Sequence, residues 1–229
     1  MIDLLAEPSG GLVTGFVLIA FVTAVAVCAG VAVTSGRSAG LRAAGFAFAW
    51  MATTAALAAS GWLDHWSPPR IVVVFGGVVA MLGWAARAEW ARRLGTLPLA
   101  VLVGAQSFRI VVEILIHEAV IEGVANPAMT WTGSNFDIVP GVTALLLAPF
   151  ASRLPRGVLQ AWNLGSASVL VVTVTTAVLA APTPIATVTS TPPNVWIASF
   201  PFVWLPAVLV LAAFLGHVVL YRRLAAEAP

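Results

Sequence analysis

From Gly11 to Thr34 the chain has no charged side chain. In hydrocarbon every backbone N–H and C=O must be satisfied within the segment, so an apolar run of this length is expected to cross a bilayer as a helix. The same pattern recurs throughout the 229 residues, of which 60% are hydrophobic and 9% charged. Such a composition leaves too little polar surface for a water-soluble domain of this size. The expectation is an all-α, polytopic integral membrane protein forming a single domain over residues 1–229.

Six more apolar segments follow, at about Leu41–Gly61, Arg70–Ala86, Pro98–Glu122, Phe136–Ser152, Gly157–Ala180 and Asn194–Tyr221, which predicts seven transmembrane helices. The stretch Met1–Gly10 is acidic through Asp3 and Glu7, whereas a secretory leader begins with positive charge, so the first span is expected to be retained. Every basic residue is Arg, and there is no Lys. Arg37 and Arg42 lie in the first link, Arg87, Arg92 and Arg93 in the third, Arg153 and Arg156 in the fifth, and Arg222 and Arg223 after the last span. The even-numbered links hold only Arg70. Cytoplasmic loops collect Arg and Lys, which predicts an amino terminus outside and a carboxyl terminus in the cytoplasm of a bacterial cell, in the inner (plasma) membrane. Trp62, Trp66, Trp131 and Trp196 are expected at the outer interface, and Trp84, Trp90 and Trp162 at the inner one. Because the Arg residues are spread over span ends, a nucleic-acid surface is not expected.

Against this background the polar residues of the fourth segment stand out. At about 100° per residue, Gln106, Arg109, Glu113 and His117 share an arc of about 80° on one helix. Arg109 lies midway along its segment, where a charge costs at least ~2.5–3.5 kcal/mol and must face protein or a water-filled cavity. An Arg109–Glu113 ion pair is the expected partnership. Asn135 and Asp137 stand at the start of the fifth segment, where Asp137 is placed to cap a helix. Gln106, Arg109, Glu113, His117, Asn135 and Asp137 form the candidate substrate-binding set. Glu118 and Glu122 fall on the opposite side, as a solvated face.

His65 and His117, with nearby carboxylates, are the candidate metal ligands, although no HExxH or HxxxH pair is present. His217 is placed near the inner end of the last span, as a helix-end residue that bonds a carbonyl or helps anchor the inner interface, and too far from His117 to share a site. In the sixth segment Gly165, Ser166 and Ser168 suggest close helix packing, with Asn163 as a weaker candidate for a polar path to Arg109. The single Cys28 lies within the first span and reads as a small core residue. The turn-rich link Val124–Ser134 is expected to cover the polar stripe, and the uncharged Ala181–Pro193 to run extended along the membrane surface. Pro201 and Pro206 are expected to kink the seventh span.

In span number and orientation the chain resembles the microbial rhodopsins, but their retinal is held by a Lys in the last span, and the absence of Lys excludes that cofactor. The layout is also similar to that of the alkaline ceramidases, whose zinc pattern needs a spaced His pair late in the chain, where only His217 stands. Three functions remain open. One is binding or translocation of a small or lipid-like substrate, with or without proton coupling. The second is a membrane-embedded, metal-dependent enzyme of the outer leaflet. The third is a non-catalytic subunit bound to a partner or to further copies of itself.

Overall fold

The computed structural model describes residues 6–226. Asp3 of the acidic amino-terminal stretch lies outside the described residues. The described chain is helical, with no β-strand among its elements. Five helices are long and apolar enough to cross a membrane: Gly10–Ser35, Arg37–Ala59, Leu99–Ile121, Arg156–Leu179 and Leu205–Ala226. Two shorter apolar helices, Val72–Ala85 and Ile138–Phe150, occupy the third and fifth expected segments.

α1 (Gly10–Ser35) begins at Ser9, whose hydroxyl accepts the Leu12 N–H, while Glu122 accepts both the N–H and the O–H of Ser9. Glu122, expected as a freely solvated acid, therefore ties the start of α1 to the fourth segment. A carboxylate there also complements the positive end of the helix dipole. α2 (Arg37–Ala59) follows after the single residue Gly36, at φ +89°, which glycine alone adopts easily. The tight hairpin brings Gly40 against Ala32, where a Cβ would overlap the Ala32 backbone and side chain.

α3 (Val72–Ala85) has 14 residues, about 21 Å at 1.5 Å per residue, against a hydrocarbon core of about 30 Å. It starts only after Pro68 and Pro69. Glu89–Leu94 forms the short α4, in which Glu89 pairs with Arg92 and Arg93. Those exposed arginines hold the Glu89 carboxyl below its ordinary range, chiefly through the Arg92 hydrogen bond.

The fourth segment comprises α5 (Leu99–Gly104), a 3₁₀ turn at Ala105–Ser107 and α6 (Phe108–Ile121). α7 (Ile138–Leu147) ends in a 3₁₀ turn at Ala148–Phe150 that contains Pro149. α8 (Arg156–Leu179) is continuous. The seventh segment opens with irregular chain and a 3₁₀ turn at Trp196–Ala198, passes through a π-helical turn at Leu205–Val210, and ends as α9 (Leu211–Ala226). Pro206 lies inside the π turn, where its missing N–H breaks the α-helical ladder. Pro201 precedes that helix.

Half of the residues of Leu205–Ala226 are buried, and it is the most enclosed of the five long helices. Two apolar clusters pack around it. The first joins Leu12, Phe16, Trp196, Phe202, Ile116 and Leu209; the second joins Val31, Leu94, Leu102, Leu159, Leu215 and Val219. Trp196 belongs to the first cluster at 0% exposure, donating its indole N–H to Asn194 and packing on Phe16 and Phe202. With its polar atom satisfied internally it has no need of the interface where it was expected. Trp66 is buried as well. The links Val124–Ser134 and Ala181–Pro193 are joined, because the Asn126 side chain donates to the Ser190 and Pro192 carbonyls. The second link is therefore pinned to the first.

Candidate functional site

Between the two apolar clusters lies a layer of buried polar side chains from α6, α7, α8 and α9. Arg109 is 2% exposed and donates through Nε to Asp137 Oδ2 at 2.7 Å and through Nη2 to Asp137 Oδ1. Its Nη1 reaches Ser166 Oγ at 2.9 Å and His217 Nε2 at 3.2 Å. The buried ion pair is thus Arg109–Asp137, not the expected Arg109–Glu113. An Arg followed four residues later by Glu is the less favourable order for an intrahelical pair, whereas Asp137 offers both carboxylate oxygens to the flat guanidinium. Gly141, one turn after Asp137, allows the approach: its Cα lies against α6 where a Cβ would stand 3.0 Å from the Ile110 nitrogen.

Asp137 occupies the amino-terminal cap of α7, yet its side chain makes no capping bond. Its carboxylate is committed to Arg109, and its own N–H donates to Asn135 Oδ1 at 2.9 Å.

Because arginine only donates, His217 Nε2 accepts, and the ring proton resides on Nδ1. Nδ1–H then donates to Asn163 Oδ1 at 2.8 Å, and Asn163 Nδ2 returns a bond to the His217 carbonyl at 3.1 Å. His217 is 4% exposed. It does not sit at a helix end bonded to a carbonyl, as expected, because α9 continues to Ala226 and leaves His217 well inside the helix.

Glu113 has different company. At 1% exposure, its carboxylate accepts from one described residue, Asn135, whose Nδ2 lies 2.9 Å from each oxygen. Asn135 is itself fully engaged, with Nδ2 to the Met129 carbonyl at 2.8 Å and Oδ1 accepting from Thr173 at 2.8 Å. Beside Glu113 is a cavity of about 50 Å³ bordered by Arg109, Asp137, Thr173, Phe108 and Pro206. Room for one water requires about 10–15 Å³, so the space is large enough for one, although its walls are almost wholly apolar.

Gln106 donates to the Ala213 carbonyl at 3.2 Å, and its Oε1 is buried without a partner. It fits because position 216 is glycine, whose Cβ would overlap Gln106 Nε2. His117 lies further along α6, half-buried, 2.9 Å from Thr130 Oγ1 and stacked on Trp131 at 4.1 Å between ring centroids. His65 is exposed and contacts the Ser67 carbonyl. Among the described residues, no group of three or more His, Cys, Asp and Glu side chains is placed to hold a metal ion. The expected metal pair, His65 and His117, thus has separate partners.

Of the candidate set, Arg109, Glu113, Asn135 and Asp137 form one bonded layer with Ser166, His217, Asn163 and Thr173. Gln106, in the 3₁₀ turn before α6, bonds to α9 beside it, and His117 stands apart. Ser166 and Thr173 were missed as site residues. The spacing Asn163, Ser166, Leu170, Thr173 marks one helical face of α8 and was the available signal.

The fold and site define an all-helical chain with several helices able to cross a membrane and a charged, hydrogen-bonded layer in its interior. Comparison with family models, with curated proteins and with solved structures gave no match.

Proposed function

We propose that this protein binds and moves a small or lipid-like substrate across the membrane, coupled to protons, with the polar layer on the fourth segment as its site. The observation that carries the reading is Glu113: a fully buried carboxylate held by a neutral amide, next to a water-sized cavity, while the neighbouring arginine is engaged elsewhere. Intramembrane carboxylates in such settings serve proton relays. Two breaks in helix geometry flank the layer, the 3₁₀ turn before Arg109 and the π turn around Pro206. Irregular turns of this kind recur at functional hinges and substrate sites. Glu113 with His117 exchanges protons in this reading, and Arg109 attracts an anionic group when the layer opens.

The proposed topology has seven spans, an external amino terminus and a cytoplasmic carboxyl terminus in a bacterial inner membrane. The alternation of Arg between links supports it. Cysteine at the exposed Thr132 or Ser134 of the Val124–Ser134 link should be labelled from outside in intact cells lacking Cys28, and cysteine at Arg153 or Arg223 should not.

The engagement of Arg109 favours a second reading, in which the layer only fixes helix packing for an assembly subunit. Reconstitution in liposomes separates the two. Transport predicts substrate-dependent proton flux that Glu113→Gln abolishes while the protein stays folded. Packing predicts no flux and a co-purifying partner.

A further inference from the structure

A second cavity lies away from the polar layer, among α1, α2, α3 and the last helix. It has a volume of about 380 Å³. Its walls are apolar, from residues such as Val27, Val31, Met51, Met81 and Leu215. Along α2 it extends from Ala39 to Met51, twelve residues or about 18 Å, and along α1 from Val31 back to Thr23, about 12 Å. The space is therefore long and narrow. Exposed Phe46 and Trp84 stand at its rim, in contact with each other, and Trp84 also meets Trp90.

The charge at this end decides what fits. Arg92 and Arg93 pair with Glu89, Arg87 bonds the Gly83 carbonyl, and Arg222 bonds the Ala86 carbonyl. Arg42 lines the cleft and, among the described residues, has neither a hydrogen bond nor an ion pair. A long apolar slot with the Arg42 guanidinium and indole rings near one end matches an amphiphile with one extended chain and an anionic head. Arginine binds phosphate oxygens in a fork; a choline head carries its own quaternary amine, which offsets the phosphate charge, so a net-anionic head pairs better with Arg42, and aromatic rings favour the headgroup level.

We infer that this cleft is a binding site for an anionic phospholipid, with one acyl chain in the slot among α1, α2, α3 and the last helix and the phosphate on Arg42. The site is distinct from the polar layer and independent of the transport reading. Ala43 faces the slot from α2, and Cys28, the single cysteine, lines it from α1.

The test uses the full chain in detergent, with native mass spectrometry after delipidation and addition of phosphatidylglycerol or phosphatidylcholine of equal chain length. One phosphatidylglycerol should be retained at about tenfold lower concentration than phosphatidylcholine. Arg42→Gln should remove that preference, Arg153→Gln should keep it, and Ala43→Phe should lose the retained lipid of both kinds. Equal retention of the two lipids by the unaltered protein, or a preference that survives Arg42→Gln, overturns the proposal. A second measurement needs no substitution: phosphatidylglycerol should slow the reaction of Cys28 with a hydrophobic maleimide several-fold more than phosphatidylcholine does. Equal rates in the two lipids would also overturn it.

Discussion

Arg109 and Glu113 lie one turn apart on α6, both at or below 2% exposure, and the protein treats them differently. Around Arg109, Asp137 supplies the countercharge and Ser166 and His217 take the remaining side of the guanidinium. His217 is held in turn by Asn163. Around Glu113, one neutral amide among the described residues, that of Asn135, serves both oxygens. A buried charge with its counter-ion and hydrogen bonds in place fixes geometry, and removing one member is costly. A buried carboxylate bonded only to an amide can gain a proton without breaking an ion pair. One half of the layer is built as scaffold, and the other half is the place to look for chemistry.

The strongest way to break that contrast is to remove one member of the ion pair. Arg109→Leu should destabilise the protein by ~3–5 kcal/mol, because Asp137 is left buried without its partner. Adding Asp137→Leu should restore most of the loss. Unfolding in detergent, followed for both singles and the double, checks this. A double variant as unstable as Arg109→Leu alone would show that the pair is not what holds α6 to α7.

Asn163→Leu tests the outer support of the scaffold half. It removes the acceptor for His217 Nδ1 and the donor to the His217 carbonyl, an expected loss of ~1–3 kcal/mol. An unchanged melting temperature would mean that His217 keeps its place on Arg109 and Ser166 alone.

These partnerships also show how far the sequence could be read. The long apolar segments were plain because the bilayer leaves a single-chain apolar run one option, the helix. Their ends were less plain: α3 and α7 are shorter than their hydropathy suggested, bounded by Pro68–Pro69 and Pro149. The importance of Arg109 was legible from its depth. Its partner was not, since depth and helical phase favoured Glu113, and the choice of Asp137 depends on how closely α7 approaches at Gly141. His217 was misplaced because the last helix extends to Ala226, beyond the apparent end of its apolar run. Ser166 was read as a small packing residue, which its size also allows.

Glu113→Gln addresses the other half. Glutamine keeps an oxygen to accept from Asn135 and removes the charge, so stability should change by no more than about 1 kcal/mol. Proton-coupled movement of substrate in liposomes should be lost. A stability loss as large as that of Arg109→Leu would erase the distinction between the two halves.

The smallest effect on flux is expected at His117. It is half-buried at the far end of α6, bonded to Thr130 and stacked on Trp131, with no described contact to Arg109, Glu113 or Asp137. Glutamine can keep a hydrogen bond to Thr130 but loses the stacking, so His117→Gln should cost about 0.5–1.5 kcal/mol. His117 lies one helical turn beyond Glu113, and its imidazole is the next proton-accepting side chain of the stripe on that side. If protons reach Glu113 past His117, the variant should shift the pH dependence of proton flux without abolishing flux. Flux measured from pH 5 to 8 in liposomes, with Glu113→Gln as the inactive reference, separates the cases. An unaltered pH profile would make His117 a stacking residue of the loop and leave Glu113 to exchange protons by another route.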